Sequence, residues 1–233
     1  MRILGLIPAR GGSKGIPRKN IKILQGKELI RYSIEVALAC PLLDQVMVST
    51  EDQEIAKLSV AAGAEVPYLR PASLAADDSP TIDTLIHALN YFEENNNSFD
   101  AICLLQPTVP FRDLSDLNAA IQKFIDSKAD SLITVREVPH VYNPHWIYEK
   151  NKKTGYLHLA MGEEKIIARR QELPKAYHRD GSVYITKKEV ILFQQSIYGK
   201  KIVHHMMENS PNINIDTMAD WEQAVSYAKE FNT

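Results

Sequence analysis

The sequence predicts an α/β fold, a mostly parallel sheet covered by helices. Short β-branched or leucine-rich runs alternate with longer helical patterns, and a glycine-rich basic loop follows directly on the first apolar run. At 233 residues and 45% hydrophobic content, the chain is long enough to bury a full core as one α/β domain.

The first predicted strand is Ile3 to Ile7. It opens into a loop from Pro8 to Asn20, and Pro17 delays the next convincing helix until near Glu28. Gln45 to Ser49 and Val66 to Leu69 are further predicted strands. Ile82, Leu85, Ile86 and Leu89 then fall on one helical face, followed by a polar, flexible loop over Glu93 to Ser98 and a strand over Ala101 to Leu105. Leu114, Leu117, Ile121, Phe124 and Ile125 mark a second helical face, which leads to a strand at Ser131 to Val135. Both helical faces are expected to pack on the sheet. From about 138 to 177 the alternation breaks in favour of Pro, His, Tyr and charge, with Lys153-Thr154-Gly155 reading as a hairpin turn. There Val141, Tyr142, Trp146, Ile147, Tyr148 and Tyr156 supply enough apolar surface for an interface. Ile202 to Met207 reads as a strand, with one of His204 and His205 facing the core and the other solvent. Met218, Trp221, Val225 and Ala228 close the chain as a helix, with Thr217 as N-cap and Asp220 three residues on. The expected organisation is a single domain, 1–233, with an arm inserted at about 138–177.

Net charge is −2, which gives no global reason to expect nucleic acid or an acidic membrane as partner. Cys40 and Cys103 are the two cysteines, too few for a disulfide framework or a Cys-based metal site. No run approaches membrane-spanning length and no secretory signal is evident, so a soluble, cytoplasmic protein is expected.

The loop Arg10-Gly11-Gly12-Ser13-Lys14-Gly15-Ile16-Pro17-Arg18-Lys19-Asn20 reads as a polyphosphate cradle. Gly11, Gly12 and Gly15 are expected to allow positive φ and close approach of main-chain N–H groups to an anion, with Arg10, Lys14, Arg18 and Lys19 as countercharge. The alternative is a solvated basic turn. A Walker loop is excluded because Gly-Lys-Ser/Thr is lacking, and a dinucleotide fingerprint because the loop does not open into a helix. Gln106 directly follows an apolar strand, so its side chain should emerge at the carboxyl edge where ligands sit. Arg112 is placed to cap or brace the loop that follows. Asn214 and Asp216, two residues apart in an extended segment, share one face. The seven histidines form no Ser/His/Asp arrangement, and a general base is unassigned.

Ile7 to Asn20 resembles the opening signature of the acylneuraminate cytidylyltransferases, the CMP-N-acetylneuraminic acid synthetase family. Val48-Ser49-Thr50-Glu51-Asp52, Leu69-Arg70-Pro71, Leu104-Leu105-Gln106-Pro107-Thr108, Gly181-Ser182-Val183-Tyr184-Ile185 and Ile215-Asp216-Thr217 are similar to the family's later blocks, in order. The resemblance implies a three-layer, Rossmann-like nucleotidyltransferase-type domain with a small protruding dimerisation arm that reaches the partner's active site. It also implies transfer of CMP from CTP to the anomeric hydroxyl of a nonulosonic acid, with Mg²⁺ as cofactor and a homodimer as the working assembly.

By the same resemblance, Arg10 and Lys19 hold the triphosphate, with Gly11, Gly12 and Ser13 as neutral donors. Asn20, Arg70 and Thr81 select the nucleotide, while Gln106, Arg170 and Tyr184 meet the sugar. Asp216 and Asn214 hold the metal. A salt bridge holding the loop is the alternative for Arg70, and a helix-end role the alternative for Asp216. The chain departs from the family at Asn214, where aspartate is common, near Asn143-Pro144-His145-Trp146, where the common sialic acid enzymes place lysine, and at His178, where some have arginine. These departures leave legionaminate, pseudaminate and deaminated sialic acid open beside N-acetylneuraminate, although pseudaminate enzymes more often carry Arg at the place of Gly15. Two rival readings stand beside this one: a nucleotidyltransferase for another base or sugar acid, and a non-catalytic CTP-binding regulator. Asn214 lends weight to the regulator; Arg10, Lys19, Gln106 and Asp216 speak for the enzyme.

Overall fold

Apolar residues alternate along the first strand so that Ile3 and Ile7 enter one buried layer while Leu4 and Leu6 enter another, which places helices on both faces of one sheet. The computed structural model describes residues 1–231 and divides the chain into two compact units, Met1–Thr134 with Asp180–Thr233, and Val135–Arg179. In chain order the elements are β1 (Ile3–Pro8), β2 (Ile23–Leu24), β3 (Lys27–Glu28), α1 (Leu29–Ala39), β4 (Gln45–Ser49), α2 (Gln53–Ala61), α3 (Thr81–Glu94), β5 (Ala101–Leu104), α4 (Leu114–Asp126) and β6 (Ser131–Glu137). There follow β7 (Tyr148–Lys150), β8 (Leu157–Leu159), β9 (Tyr177–Lys187), α5 (Lys188–Gln194), β10 (Ile202–Met206) and α6 (Met218–Phe231).

The six-stranded sheet has the order β10-β6-β9-β5-β1-β4. β1 pairs in parallel with β4 (Leu6 opposite Met47) and with β5 (Leu6 opposite Leu104), and β9 runs antiparallel to β5 (Tyr184 opposite Leu104). One face is covered by Ile30, Ile34 and Ala37 of α1, Ile55 of α2 and Leu117, Ile121 and Phe124 of α4. The other is covered by Leu85, Leu89 and Phe92 of α3 and Ile191 of α5. The mostly parallel α/β sheet and both amphipathic helices are therefore as the sequence predicts. His204 is exposed and His205 half-buried on β10, as its alternation requires. Thr217 and Asp220 bond reciprocally at the start of α6, Thr217 N–H donating to Asp220 Oδ2 at 2.7 Å and Asp220 N–H to Thr217 Oγ1 at 3.3 Å.

The strand expected over Val66 to Leu69 does not form. Glu65 makes a single parallel bridge to Met47 and Arg70 N–H donates to the Thr50 carbonyl at 2.8 Å, but Pro67 between them has no N–H to give the ladder. The chain runs beside β4 without joining the sheet. The polar loop after α3 begins later than expected, because α3 continues to Glu94.

In the second unit, β7 and β8 form an antiparallel hairpin around the expected Lys153-Thr154-Gly155 turn. Asn151 Oδ1 accepts from Lys153 and Thr154 N–H at 2.9 and 3.1 Å, and Gly155 takes the positive φ of 77°. Val141, Tyr142, Tyr148, Tyr156 and Leu157 of this unit are exposed.

Asp113 caps α4, accepting from the N–H groups of Ser115 and Asp116 at 2.8 and 3.2 Å. The Ser115 hydroxyl and these N–H groups hold its carboxyl below the usual carboxylate range. Asp113→Ala is expected to cost about 1 kcal/mol of unfolding free energy at neutral pH. Because the folded value is depressed, that difference is full above the unfolded carboxylate pKa of about 3.9 and is lost as pH falls through the folded value. Urea titrations of both proteins at pH 7 and under acid test it; a pH-independent difference refutes the assignment.

Candidate active site

The strand ends that carry ligands in open α/β sheets lie here at the carboxyl ends of β1 and β5, and an open cavity of about 410 Å³ sits there. Pro8, Arg10, Gly12, Ser13, Lys19 and Asn20 line it from the basic loop. Arg70, Thr81 and Thr84 contribute a second wall, Gln106 a third, and Asn214 and Asp216 a fourth. Residues from five separated stretches of sequence thus converge on one cavity. Thr81 and Thr84 occupy the first turn of α3, whose N-terminal N–H groups favour negative charge on that side.

The loop is built differently from the expectation. None of Gly11, Gly12 and Gly15 takes a positive φ; Arg18 does, at 55°. Two of the three glycines serve close packing instead. A Cβ on Gly11 would collide with the Asp52 carboxylate, and one on Gly15 with the carbonyl oxygen of Asp216, whereas Gly12 faces open space. The Gly11 N–H is already committed, donating to Glu51 Oε1 at 2.7 Å. Arg18 turns away from the cavity to pair with Asp52 and, at 2.5 Å, with Glu54, and these pairs hold the Asp52 carboxyl low and the Arg18 guanidinium high. It braces the loop against α2. Arg10, Lys14 and Lys19 remain as the loop cations at or beside the cavity.

Several of the lining groups are held by partners. Lys19 Nζ donates to the Ile215 carbonyl at 2.6 Å and lies 3.1 Å from Asp216 Oδ1, so the basic loop is tied to the segment at 213–216. Asn20, only 7% exposed, donates through Nδ2 to the Arg10 carbonyl at 2.9 Å and fixes the start of the loop. Arg70, 5% exposed, meets Glu51 Oε2 at 3.1 Å and Thr84 Oγ1 at 3.1 Å while still facing the cavity. The salt bridge foreseen as its alternative role is therefore present together with cavity lining. Arg112 is buried, and burial pushes its guanidinium down to about 10. It donates to the carbonyls of Gln106 and, at 2.6 Å, Ser182, and to Ser33 Oγ at 2.9 Å. It braces the Gln106 loop as the sequence suggests. Gly181, at φ +82°, lies between Gln106 and Asn214, and a Cβ there would meet both side chains at 3.7 and 3.8 Å.

Tyr184 and Arg170, which the resemblance assigns to the sugar, are not among the residues that line this cavity. Tyr184 does not line the cavity: its side chain, 4% exposed, lies in the apolar layer with Leu104, Leu85 and Ile191, against Tyr198, because both faces of β9 are buried at that point. Arg170 belongs to the second unit, where it borders a separate hollow of about 350 Å³ with Glu137, His140, Asn143 and Lys175. Glu51, Thr84 and Asp77 were not singled out from the sequence. Glu51 lay inside a recognised block but its partners are distant in sequence, and Asp77 sits in a polar loop with no local signal. Asp77 pairs with Arg10 at 2.7 Å and Lys14 at 3.0 Å, and chiefly the Lys14 ammonium holds its carboxyl below the usual range.

Among the described residues no three His, Cys, Asp or Glu side chains converge as a metal cage. The donors present still suit a hard cation held jointly with a ligand: Asp216 offers a largely exposed carboxylate and Asn214 an amide on the same cavity. Mg²⁺ commonly uses one or two carboxylates with substrate phosphates and retained waters. No helix among the described residues is long and apolar enough to cross a membrane.

The packing predicts a contrast between two neighbouring glycines. Gly15→Ala should destabilise the fold by about 1–3 kcal/mol, since the Asp216 backbone must shift, while Gly12→Ala should stay within about 0.5 kcal/mol. Denaturant unfolding of both variants reads this directly, and equal stability would contradict the Gly15 contact.

A sequence profile described as Cytidylyltransferase matches residues 4–232. The chain is 34% identical to CMP-N,N'-diacetyllegionaminic acid synthase of Legionella pneumophila over 95% of this chain and 94% of that protein. It is 32% identical to the pseudaminic acid cytidylyltransferase of Campylobacter jejuni (96% and 95%), and 27% identical to the N-acylneuraminate cytidylyltransferase of Escherichia coli, covering 99% of this chain and 53% of that protein. Among solved structures, CMP:2-keto-3-deoxy-manno-octonic acid synthetase complexed with CTP superposes with a TM-score of 0.73 at 17% identity, covering 99% of each chain. This likeness supports the fold.

Proposed function

We propose that this chain, which belongs to the cytidylyltransferase family, transfers CMP from CTP to the anomeric hydroxyl of a nonulosonic acid. The observation that carries the reading is the convergence of Arg10, Lys19, Asn20, Arg70, Thr81, Gln106, Asn214 and Asp216 on one cavity at the carboxyl edge of the sheet. The relatives' names support a sugar of the legionaminate, pseudaminate or neuraminate class. Within that class the tight seat of Gly15 against Asp216 leaves no room for the arginine that pseudaminate enzymes more often carry there, which favours the legionaminate type.

In the proposed reaction the sugar hydroxyl oxygen forms a bond to the α-phosphorus of CTP as the bond to the bridging oxygen breaks and pyrophosphate departs. The hydroxyl proton passes to solvent or phosphate. Arg10 and Lys19 stabilise charge on the triphosphate and on the leaving pyrophosphate, with the Ser13 hydroxyl as a neutral donor. Asn20, Arg70 and Thr81 hold the nucleoside, and Gln106 orients the acceptor, so that the reacting atoms are brought in line. Asp216 and Asn214 would hold Mg²⁺, which supplies further charge neutralisation at the phosphates. The exposed apolar residues of the second unit support assembly as a homodimer.

The decisive assay is pyrophosphate release from CTP and Mg²⁺ with N,N'-diacetyllegionaminate, pseudaminate, N-acetylneuraminate and deaminated sialic acid, with UTP, ATP and GTP as controls. CTP-restricted turnover with one acceptor is expected; CTP binding with silence across the panel would favour a regulator. Lys19→Ala should lower kcat/KM by about 10²-fold or more, and unchanged turnover would remove Lys19 from its role. Asp216→Ala should raise the Mg²⁺ concentration needed for half-maximal rate, whereas a residue serving only the start of α6 would cost stability and leave Mg²⁺ dependence intact.

A further inference from the structure

Asp77 is a carboxylate set among the cations that the proposed reaction needs for phosphate. One oxygen lies 2.7 Å from Arg10 and the other 3.0 Å from Lys14, so a single anionic group spans two cations as two phosphate oxygens would. It lines the same cavity as Arg10, Ser13 and Lys19. Its loop is a small self-closed turn: Ser79 Oγ donates to the Ser73 carbonyl at 2.7 Å and Ser79 N–H to the Ala76 carbonyl at 3.2 Å, between Pro71 and Pro80. Side-chain exposures of 33%, 77% and 45% for Arg10, Lys14 and Asp77 leave both pairs open to water and to exchange.

We propose that Asp77 is an intramolecular stand-in for a phosphate, holding Arg10 and Lys14 while the cavity is free of nucleotide, displaced by a polyphosphate, and returning as pyrophosphate leaves. This rests on reading the cavity as a nucleoside triphosphate site. One carboxylate carries a single negative charge, whereas a triphosphate or pyrophosphate brings several to the same cations and outcompetes it. The contact lowers the apparent affinity of every ligand that needs these cations by the fraction of molecules in which they are free. Its use is release: a product held by bare Arg10 and Lys14 would leave slowly, and Asp77 competes for them as it goes.

The test is titration calorimetry of inorganic pyrophosphate into the full chain in metal-free, low-salt buffer, for the unaltered protein, Asp77→Asn and Asp78→Asn. Asp78 is the exposed neighbour and removes the same charge without removing these pairs. Asp77→Asn is expected to bind pyrophosphate about fivefold more tightly, as for a site free in roughly one molecule in five. The gain should shrink as added salt screens the exposed charges, while Asp78→Asn stays within about twofold of the unaltered protein. Equal or weaker binding by Asp77→Asn overturns the proposal, as does an equal gain in Asp78→Asn, and so does absence of binding in all three. The acceptor panel tests the functional reading separately. CTP turnover without a gain in Asp77→Asn sinks the stand-in alone; a gain without CTP turnover leaves a gated polyphosphate site and removes the cytidylyl reading.

Discussion

The contact on which the site depends joins opposite ends of the chain: the backbone of Gly15 lies against the carbonyl of Asp216, and Lys19 Nζ reaches the neighbouring carbonyl of Ile215 at 2.6 Å. Apolar packing seals the same seam, with Ile16, Leu24 and Leu29 on one side and Ile213, Ile215 and Trp221 on the other. The cation-bearing loop and the oxygen-bearing segment therefore cannot be placed independently. Packing α6 and the 213–215 segment against Ile16 of the loop, Leu24 of β2 and Leu29 of α1 sets the distance between the groups that would meet phosphate and those that would meet metal.

Around that seam the lining groups are held by a layer of polar contacts. Glu51 links the Gly11 N–H to Arg70, and Thr84 holds the other side of the same guanidinium, so the basic loop, the end of β4 and the first turn of α3 form one connected unit. Arg112 performs the corresponding task for Gln106 and β9 through carbonyl oxygens and a hydroxyl. A buried guanidinium held this way is costly to desolvate, and its multiple donors repay the cost by fixing several backbone segments at once.

Much of this was legible in the sequence because the signals are local. The β-branched runs give β1, β4 and β5, the 3.6-residue spacing gives α3 and α4, and an amide at the end of an apolar strand must emerge where Gln106 does. The resemblance supplied Asn20, Arg70, Thr81 and Asp216, whose roles no spacing discloses. What was not legible depends on distant partners. A glycine between cations suggests an unusual φ, but whether it instead admits Asp52 or the Asp216 carbonyl depends on residues far along the chain. Pro67 outweighed the β-branched character of Val66 because it has no N–H to extend the single Glu65–Met47 bridge into a ladder. Tyr184 was assigned to the sugar by the resemblance alone, and its block does not disclose that β9 is covered on both faces, which puts its side chain in the apolar layer. Asp77 had no signature, since an acidic loop residue acquires meaning only when Arg10 and Lys14 are folded next to it.

Gly181 constrains how such a scaffold diversifies. Its φ of +82° disfavours every side chain, and a Cβ there would come into contact with the Gln106 and Asn214 side chains together. A lineage seeking a new cavity shape cannot explore that wall freely, because any first substitution there strains the backbone between Gln106 and Asn214. Innovation is channelled instead to the Leu74–Ser79 rim, where side chains border the same cavity and the backbone is held by only a few short-range bonds. The rigid wall keeps the chemistry common to descendants, and the rim is where they can part.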